Sequence, residues 1–545
     1  MKVSDYISEY LAYKELSHVF GMSGANIEDL YTSIYKKNTT SIILAKNEYN
    51  ATTMAIGCYL ATRKISVVMT TSGPGVLNTI PVLAEAYTSK IPLVLISGIV
   101  PEAMEGLGAF QDTSGLGGTL NVLEMLKQCT CYQKKIQDEK SIPEALDKAF
   151  ELAIKHKKPA VILIPKNIFN KEIEAFNSLA ISPPEKIYEY TELSSAITFC
   201  QEFSIAEKTP PLIILGEELI HLNNTAFIQE FISKTAASVA VTPNSKGLFD
   251  HRNPQFLGLI GIMGHNEVNN YLNLTDFVIL IGVNFDLLNR YGIQELMTSK
   301  KLLIIKEEKS SSLFCYSGET VCEIYGDLED NITRISSTIK AAIPTRAPVA
   351  KNPAITEGFN FKNIINEIQS SIEDDANLFV DAGNTGAFVL HNLETRGNGT
   401  CYVSLGMGGM GNSIGAGIGG SVSSNKKSYV FLGDGSFLMY GLEIHTALEY
   451  NLPIVFFIFN NNSHGMCTTR ENVFLDGETG INNFRESRYA EGIGKIFPGI
   501  ISHEVNDLEN LKQSLNDIVG RKSPCVVTIN ILNTEAPPFK TFFKN

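Results

Sequence analysis

The stretch Tyr429-Val430-Phe431-Leu432-Gly433-Asp434-Gly435-Ser436 places a glycine-flanked aspartate directly after a short apolar run. The run predicts a buried strand, and the next residues, Phe437–Tyr450, predict a helix. Glycines on both sides of Asp434 permit a sharp turn and a close approach of a ligand to the backbone. The N-terminus of the following helix offers unpaired N–H groups to a phosphate. A second strand, Pro453–Phe459, then runs into Asn460-Asn461-Asn462.

These two strand ends are expected to lie side by side, because a right-handed strand–helix–strand crossover brings both to one edge of a sheet. Open α/β sheets bind their ligands at that edge. Asp434 and Asn461 would then offer hard oxygen ligands to one Mg²⁺, the remaining ligands being a carbonyl, water and phosphates. Alternatively, both segments are ordinary turns built from favoured turn residues, and the local pattern does not decide between the two.

Short β-branched runs that are apolar on both faces alternate with helix-like stretches along the whole chain. Such runs indicate buried parallel strands between helix layers. Twelve of them form three groups: Ser41–Ala45, Ile65–Thr70, Leu93–Ser97 and Ala160–Ile164; Leu212–Leu215, Ser238–Val241, Phe277–Ile281 and Leu302–Ile305; Leu378–Val380, Tyr429–Leu432, Ile454–Phe459 and Cys525–Ile529. Three consecutive doubly wound α/β domains with largely parallel sheets are therefore predicted.

Proline-bearing, polar stretches predict two linkers, Asn177–Glu192 and Ala341–Thr356. The predicted domains are residues 1–180, 190–342 and 355–545. A chain of 545 residues has room for three or four domains. The first and third segments share a plan of strand, glycine-rich turn, helix and strand.

Composition excludes several classes of protein. With 44% hydrophobic and 19% charged residues, the chain is not disordered. A net charge of −13 argues against nucleic acid as a partner. The apolar runs are far shorter than the roughly 18 residues of a membrane-spanning helix, so no membrane partner is expected. Nine scattered cysteines and an N-terminus without a signal peptide favour a reducing cytoplasm.

The segment Gly433–Met466 resembles the cofactor motif of thiamine diphosphate enzymes, in which GDG is followed about two dozen residues later by NN. Asn461 lies 27 residues after Asp434, the offset found in the acetolactate synthase and pyruvate decarboxylase group. This resemblance implies that the Mg²⁺ ligands are Asp434, Asn461 and the backbone carbonyl of Ser463, and that the cofactor contacts include Gly435, Ser436, His464, Gly465 and Met466.

Glu48 follows the predicted strand Ser41–Ala45 and opens a helix that continues to Leu60. An acidic residue in a first turn is also favoured by the helix dipole, so the local pattern leaves its role open. In the family that the chain resembles, a water-shielded glutamate at this place engages the pyrimidine ring of the cofactor. The resemblance implies that Glu48 activates a cofactor held by another subunit, and hence a homodimer or homotetramer with sites at subunit interfaces.

Further cofactor contacts are implied by the same resemblance. In Gly406–Gly411, Met410 occupies the position of the residue that bends the cofactor, and the Gly408 carbonyl would accept from its amine. Gly383-Asn384-Thr385 is a second diphosphate contact or a generic turn. The N-terminal segment also resembles acetolactate synthase, and its implied cofactor contacts are Gly24, Gly73 and Asn78.

Ala109-Phe110-Gln111-Asp112 resembles a segment of acetolactate synthases, which implies that Gln111 contacts an intermediate or a substrate oxygen. A solvated loop residue is the alternative. Residues 100–125 contain no histidine, which counts against the simple pyruvate decarboxylases, whereas Asn47–Ala51 is more like that subgroup. The chain has no tryptophan and so lacks the acetolactate synthase tryptophan that sorts acceptors, which disfavours a 2-oxo acid acceptor.

Three side chains and the central domain have open roles. Arg470 and Arg485 are carboxylate- or phosphate-binding residues or surface arginines, and His464 is a proton-transfer group or a turn residue. The central domain is loosely similar to one that binds FAD in some relatives, but its residues do not support assigning FAD.

The expectation is a thiamine diphosphate- and Mg²⁺-dependent enzyme that decarboxylates a 2-oxo acid, with pyruvate as the expected donor. It would pass the two-carbon unit to an acceptor, as acetolactate synthase does. The alternatives are a decarboxylase that releases an aldehyde and a non-catalytic relative that only binds the cofactor.

Overall fold

The structure is a computed structural model that describes residues 1–177, 193–206, 209–309, 320–338, 357–397, 399–475, 477, 479–532 and 535–542. The predicted linker Ala341–Thr356 lies outside the described residues, as does the linker Asn177–Glu192 apart from Asn177. None of the helices in these ranges combines the length and apolar character needed to cross a bilayer.

The N-terminal sheet has six parallel strands in the order β2-β1-β3-β4-β6-β5. Its strands are β1 (His18–Gly21), β2 (Ser41–Leu44), β3 (Ser66–Thr70), β4 (Leu93–Ile99), β5 (Tyr132–Lys135) and β6 (Ala160–Pro165). Its helices are α1 (Val3–Tyr13), α2 (Glu28–Lys37), α3 (Glu48–Thr62), α4 (Pro74–Leu77), α5 (Ile80–Thr88), α6 (Val122–Leu126) and α7 (Ile142–His156). Helices cover both faces, so the inner strands are apolar throughout.

The central sheet also has six parallel strands, in the different order β12-β11-β10-β7-β8-β9. They are β7 (Leu212–Leu215), β8 (Ser238–Val241), β9 (Phe256–Leu259), β10 (Phe277–Ile281), β11 (Lys301–Lys306) and β12 (Val321–Tyr325). The helices are α8 (Ser194–Ala206), α9 (Ala226–Thr235), α10 (Asn266–Leu272), α11 (Leu287–Arg290), α12 (Gln294–Met297) and α13 (Leu328–Thr338).

The C-terminal sheet has the order β14-β13-β15-β16-β18-β17, again parallel. Its strands are β13 (Asn377–Val380), β14 (Cys401–Val403), β15 (Ser428–Gly433), β16 (Ile454–Asn460), β17 (Ile501–Val505) and β18 (Cys525–Asn530). Its helices are α14 (Phe361–Gln369), α15 (Asn384–Asn392), α16 (Asn412–Ser424), α17 (Asp434–Tyr440), α18 (Ile444–Glu449), α19 (Gly465–Phe474), α20 (Tyr489–Ile496) and α21 (Leu508–Ile518).

The predicted fold class is confirmed, because all twelve predicted strands form and they fall into three α/β sheets. Each sheet lies within one predicted domain, while the domain boundaries stay predictions. Six further strands were missed, and five of these (β5, β9, β12, β14 and β17) are sheet edges. Edge strands are short or carry polar side chains, as in Tyr132-Gln133-Lys134-Lys135, so they lack the apolar signal.

The predicted helix Phe437–Tyr450 was wrong in its bounds. Helix α17 begins at Asp434, a 3₁₀ turn follows at Gly441–Glu443, and α18 ends at Glu449. Asp434 therefore lies inside a first helical turn rather than in a loop before the helix.

Helices α3 and α16 pack against each other and join the two terminal domains. Where they cross, their backbones are in direct contact. A Cβ atom added to Gly57 would lie 1.9 Å from the carbonyl oxygen of Ala416. A Cβ on Gly419 would lie 1.9 Å from the carbonyl oxygen of Met54. Only glycine fits at such contacts, so this crossing fixes how the N-terminal sheet sits on the C-terminal one.

Candidate active site

A cavity lies at the carboxyl ends of β13, β15 and β16, the edge where parallel sheets bind ligands. Helices α15 and α19 begin at this cavity, so their first N–H groups face it. Twelve of the predicted site residues line it: Gly383, Asn384, Thr385, Met410, Asp434, Gly435, Ser436, Asn461, Ser463, His464, Gly465 and Met466. The other four lining residues were not among the predicted site residues: Ala382, Gly433, Phe459 and Cys467.

The Asp434 carboxylate has one oxygen that is bound and one that is not. Its Oδ1 accepts the Gly435 N–H at 3.0 Å, whereas its buried Oδ2 has no hydrogen-bond partner among the described residues. Burial raises the pKa of Asp434 to about 6, because its charged form loses water contacts. A buried carboxylate oxygen without a donor fits a bound cation.

The other oxygen donors beside Asp434 also suit Mg²⁺. Asn461 lies beside Asp434 in the cavity lining, and its Oδ1 accepts the Ser463 N–H at 3.1 Å. The described part of the chain contains no cluster of three His, Cys, Asp or Glu side chains suited to a metal. Magnesium does not need one, because it binds through one or two carboxylates, with other oxygen atoms and phosphates completing its shell.

Glycines leave room in the cavity for a phosphate group. A Cβ atom on Gly435 would lie 2.8 Å from His464 Nδ1 and 3.3 Å from the Met410 Cε. Gly383 has φ +105°, a left-handed value that favours glycine, and the space where its side chain would be is open. The buried Oδ1 of Asn384 has no described hydrogen-bond partner, while its Nδ2 donates to Thr469 Oγ1 at 2.9 Å.

Asp381 is a second buried carboxylate at this edge that the sequence analysis missed. It follows β13 directly, is fully buried, and its Oδ2 accepts the Gly411 N–H at 2.7 Å. Burial raises its pKa to about 6. Its position after an apolar strand, like that of Asp434, was the available signal. Asp381 fixes the glycine-rich turn that carries Met410.

In the N-terminal domain, the structure places Glu48 at the start of α3. Asn47 caps this helix by accepting the Asn50 N–H at 2.8 Å. The Glu48 side chain is buried, and its Oε2 accepts a hydrogen bond from Asn78 Nδ2 at 3.0 Å. A Cβ on Gly75 would lie 3.5 Å from Glu48 Oε1, so the glycine turn after β3 packs against the carboxylate.

The remaining N-terminal site residues surround the same turn. Gly73 has φ +62°, and a Cβ there would lie 2.9 Å from the Gln111 side chain, whose own φ is +61°. A Cβ on Gly24 would lie 2.7 Å from Thr71. The structure thus brings Gly24, Gly73, Asn78, Gln111 and Glu48 to one edge of the N-terminal sheet.

The predicted site residues form two groups, which meet where the hydroxyl of Tyr49, next to Glu48, donates to the Met410 carbonyl at 3.3 Å. The cavity around Asp434 is lined by C-terminal residues, and Glu48 contacts N-terminal residues. Gly408 is exposed, with φ +70°, and does not line the cavity. Arg470 and Arg485 are also exposed.

The central sheet has the strand order of a dinucleotide-binding domain, with its reversal between β7 and β10. Glu217 lines this crevice, where its carboxylate accepts the Asn284 N–H at 3.1 Å and Asn289 Nδ2 at 2.9 Å. Glu218 accepts the Glu307 N–H at 3.0 Å. Internal carboxylates thus accept N–H groups at this crevice, and we expect no FAD to bind there.

Comparison with known families places the chain in a class. The N-terminal, central and C-terminal domain models of the thiamine pyrophosphate enzymes match residues 1–117, 204–334 and 381–529. The chain therefore belongs to the thiamine pyrophosphate (thiamine diphosphate) enzymes, which confirms the predicted family. It is an enzyme that uses this cofactor to break and form carbon–carbon bonds.

Within this family, the chain is similar over nearly its full length to acetolactate synthases. The chain is 26% identical to an acetolactate synthase large subunit of Lactococcus lactis, over 95% of this chain and 90% of the relative. It is 25% identical to a probable acetolactate synthase large subunit of Methanocaldococcus jannaschii, over 99% of this chain and 93% of the relative. The fold is similar to that of benzoylformate decarboxylase from Polynucleobacter necessarius, with a TM-score of 0.84 and 16% identity. The similarity covers 98% of this chain and 99% of the decarboxylase.

Proposed function

We propose that this protein decarboxylates a 2-oxo acid, with pyruvate as the first candidate, and transfers the remaining two-carbon unit to an acceptor. The observation that carries the proposal is the cavity around Asp434, with its unpaired carboxylate oxygen and the starts of α15 and α19. Full-length likeness to acetolactate synthases supports the transfer step.

In this proposal the C-terminal residues hold the cofactor. Asp434, Asn461 and the Ser463 carbonyl would bind Mg²⁺, while Gly383, Gly435 and the first N–H groups of α15 and α19 would receive the diphosphate. Met410 would support the cofactor rings from the cavity wall. When bound, thiamine diphosphate supplies a nucleophilic carbon and a sink for the electrons released with carbon dioxide.

The N-terminal residues would handle protons and substrate. Glu48 is buried beside Asn78, so its carboxylate is held in one orientation and shielded from water. It would exchange a proton with the pyrimidine ring of the cofactor. Gln111, held in a left-handed conformation against Gly73, would donate to a substrate oxygen.

A second copy of the chain would complete each site, because Glu48 does not line the Asp434 cavity of its own chain. The proposal therefore includes a homodimer, or a homotetramer built from dimers. The reducing cytoplasm is its proposed location, since the described cysteines are free thiols.

The test is pyruvate consumption with thiamine diphosphate and Mg²⁺, followed by identification of products by NMR. Acetolactate or another ketol made by ligation is the expected product. Free acetaldehyde would instead identify a decarboxylase, which the absence of the acceptor-sorting tryptophan leaves open. If pyruvate is untouched by a protein that binds the cofactor, the donor is a different 2-oxo acid.

A further inference from the structure

Glu443 is a buried carboxylate in the C-terminal domain that contacts the turn before Glu48. Its two oxygens accept the Lys46 N–H at 3.0 and 3.1 Å. Its Oε2 accepts Asn50 Nδ2 at 3.0 Å, and its Oε1 accepts Thr446 Oγ1 at 2.6 Å. The side chain is only 1% exposed, and burial raises its pKa. One carboxylate thus holds both ends of the segment that carries Glu48.

Glu85 is the counterpart of Glu443 in the N-terminal domain. Its Oε1 accepts the Gly406 N–H at 3.1 Å, and its Oε2 accepts the Met407 N–H at 2.6 Å. The Tyr402 hydroxyl also donates to Oε1, at 3.2 Å. Glu85 is likewise 1% exposed. It therefore holds the start of the glycine-rich turn that leads to Gly408 and Met410.

The two contacts are related by the common plan of the terminal domains. Glu85 lies on α5, which follows the glycine turn after β3, and Glu443 follows α17 after the glycine turn of β15. Glu85 holds the turn after β14, and Glu443 holds the turn after β2, the corresponding strand of the other sheet. Each domain thus fixes the cofactor-facing turn of the other.

These bonds differ from an ordinary surface ion pair. The Lys46 ammonium also meets Glu449, but Glu449 is 45% exposed and its attraction is screened by water. Glu443 and Glu85 are instead buried themselves, so each carboxylate depends on the N–H groups that it binds, and an unpaired buried oxygen would be costly. Replacing either with Gln keeps the shape but turns one oxygen into a nitrogen that faces a donor.

We propose that Glu443 and Glu85 are positioning residues: Glu443 sets the orientation of Glu48, and Glu85 sets the turn that carries Gly408 and Met410. Both act within one chain, so each turn is in place before the cofactor or a second subunit arrives. The inference rests on the proposed function only for its catalytic consequence.

The first experiment needs no cofactor. Amide hydrogen exchange of the cofactor-free protein is compared for wild type, Glu443→Gln, Glu85→Gln and the control Glu449→Gln. Glu443→Gln should speed exchange at Lys46–Asn50 and leave Gly406–Gly411 unchanged, and Glu85→Gln should do the reverse. Glu449→Gln should change neither. Unchanged exchange at the contacted turn in either variant would overturn the proposal for that glutamate.

The second experiment uses thiamine diphosphate and Mg²⁺. The rate of hydrogen–deuterium exchange at the reactive carbon of the bound cofactor measures how well Glu48 activates the cofactor. Glu443→Gln should lower this rate about 10- to 100-fold, because a small misplacement of a catalytic group has effects of that size. Its dissociation constant for the cofactor should stay within about threefold. Glu85→Gln should mainly weaken cofactor binding, by about tenfold.

A double variant separates positioning from general damage. In a Glu48→Gln background, Glu443→Gln should cause no further loss of the exchange rate, because it acts through Glu48. A further loss as large as in the wild-type background would overturn that role. If the wild type binds no cofactor while the amide exchange pattern holds, the proposed function fails and the positioning stands.

Discussion

The N-terminal and C-terminal sheets share one strand order and one pattern of glycine turns, yet they present different chemistry at the same edge. The N-terminal edge offers one carboxylate, Glu48, with the amides of Asn78 and Gln111 around it. The C-terminal edge offers Asp381 and Asp434, open glycines and the starts of helices. In the proposed function, one scaffold thus serves a proton-handling end in the N-terminal domain and a phosphate-holding end in the C-terminal domain, and the loops determine which role each edge takes.

The central sheet extends the comparison. It has a different strand order, and the carboxylates of Glu217 and Glu218 accept N–H groups at its crevice. The terminal sheets have a cavity or a buried carboxylate at this edge, whereas carboxylates of the central domain accept N–H groups at the edge of its sheet. A shared fold class therefore does not by itself provide a binding site.

The largest expected effect is a loss of stability, caused by a substitution at the contact between the two terminal domains. Gly419→Val would force side-chain atoms into the Met54 carbonyl, which lies 1.9 Å from the position of the Cβ. We expect a loss of more than about 3 kcal/mol in the free energy of unfolding, and little soluble protein. The control is Gly492→Val on α20, where the added side chain meets open space. Equal solubility of the two variants would contradict the close crossing.

The next largest expected effect is a loss of turnover, which tests the proposed proton-handling role of Glu48 at the N-terminal edge. Glu48→Gln should lower kcat at least about 100-fold, because an amide cannot exchange a proton with the cofactor ring. Cofactor affinity should change less than about threefold, since the diphosphate and Mg²⁺ bind elsewhere. Turnover and calorimetric titration measure the two quantities, with the exposed Glu124→Gln as control. An unimpaired Glu48→Gln enzyme would refute the assignment.

Asp434→Asn tests the phosphate-holding end and should give the opposite pattern. Losing the charge that faces the cation should weaken Mg²⁺-dependent cofactor binding by at least the roughly 10- to 100-fold that an outer-shell partner contributes. Turnover at saturating cofactor and Mg²⁺ should recover more than it does in Glu48→Gln. Titrating both variants with the cofactor at several Mg²⁺ concentrations distinguishes the two ends. Matching affinities for wild type and Asp434→Asn would contradict the metal assignment.

The smallest expected effect is a change in Tm on adding FAD, which tests the crevice of the central sheet. Adding FAD should shift Tm by less than about 1 °C, because a ligand that does not bind the folded state cannot stabilise it. Thiamine diphosphate with Mg²⁺ serves as the positive control and should raise Tm. A flavin absorption spectrum in the purified protein would show that the crevice opens for a dinucleotide.

Sequence reasoning reached every inner strand except β1 and most residues of the cavity, because buried parallel strands and glycine turns leave local signals. It missed edge strands such as Tyr132–Lys135, whose side chains are partly polar. It passed over Asp381, although this residue follows a strand as Asp434 does. It assigned no role to Glu85 and Glu443, because their partners lie more than 300 residues away. Local patterns carry no information about such contacts.

The crossing of α3 and α16 also has a consequence for how the protein is made. Helix α3 is buried nearly all round, but its partner begins about 350 residues later in the chain. At ribosomal speeds of about 5 to 20 residues per second, roughly 20 to 70 seconds pass before α16 emerges. During that interval the nascent N-terminal domain presents an apolar helix to the cell. Chaperone capture of ribosome-bound chains should therefore end once residues beyond Ser424 have left the exit tunnel.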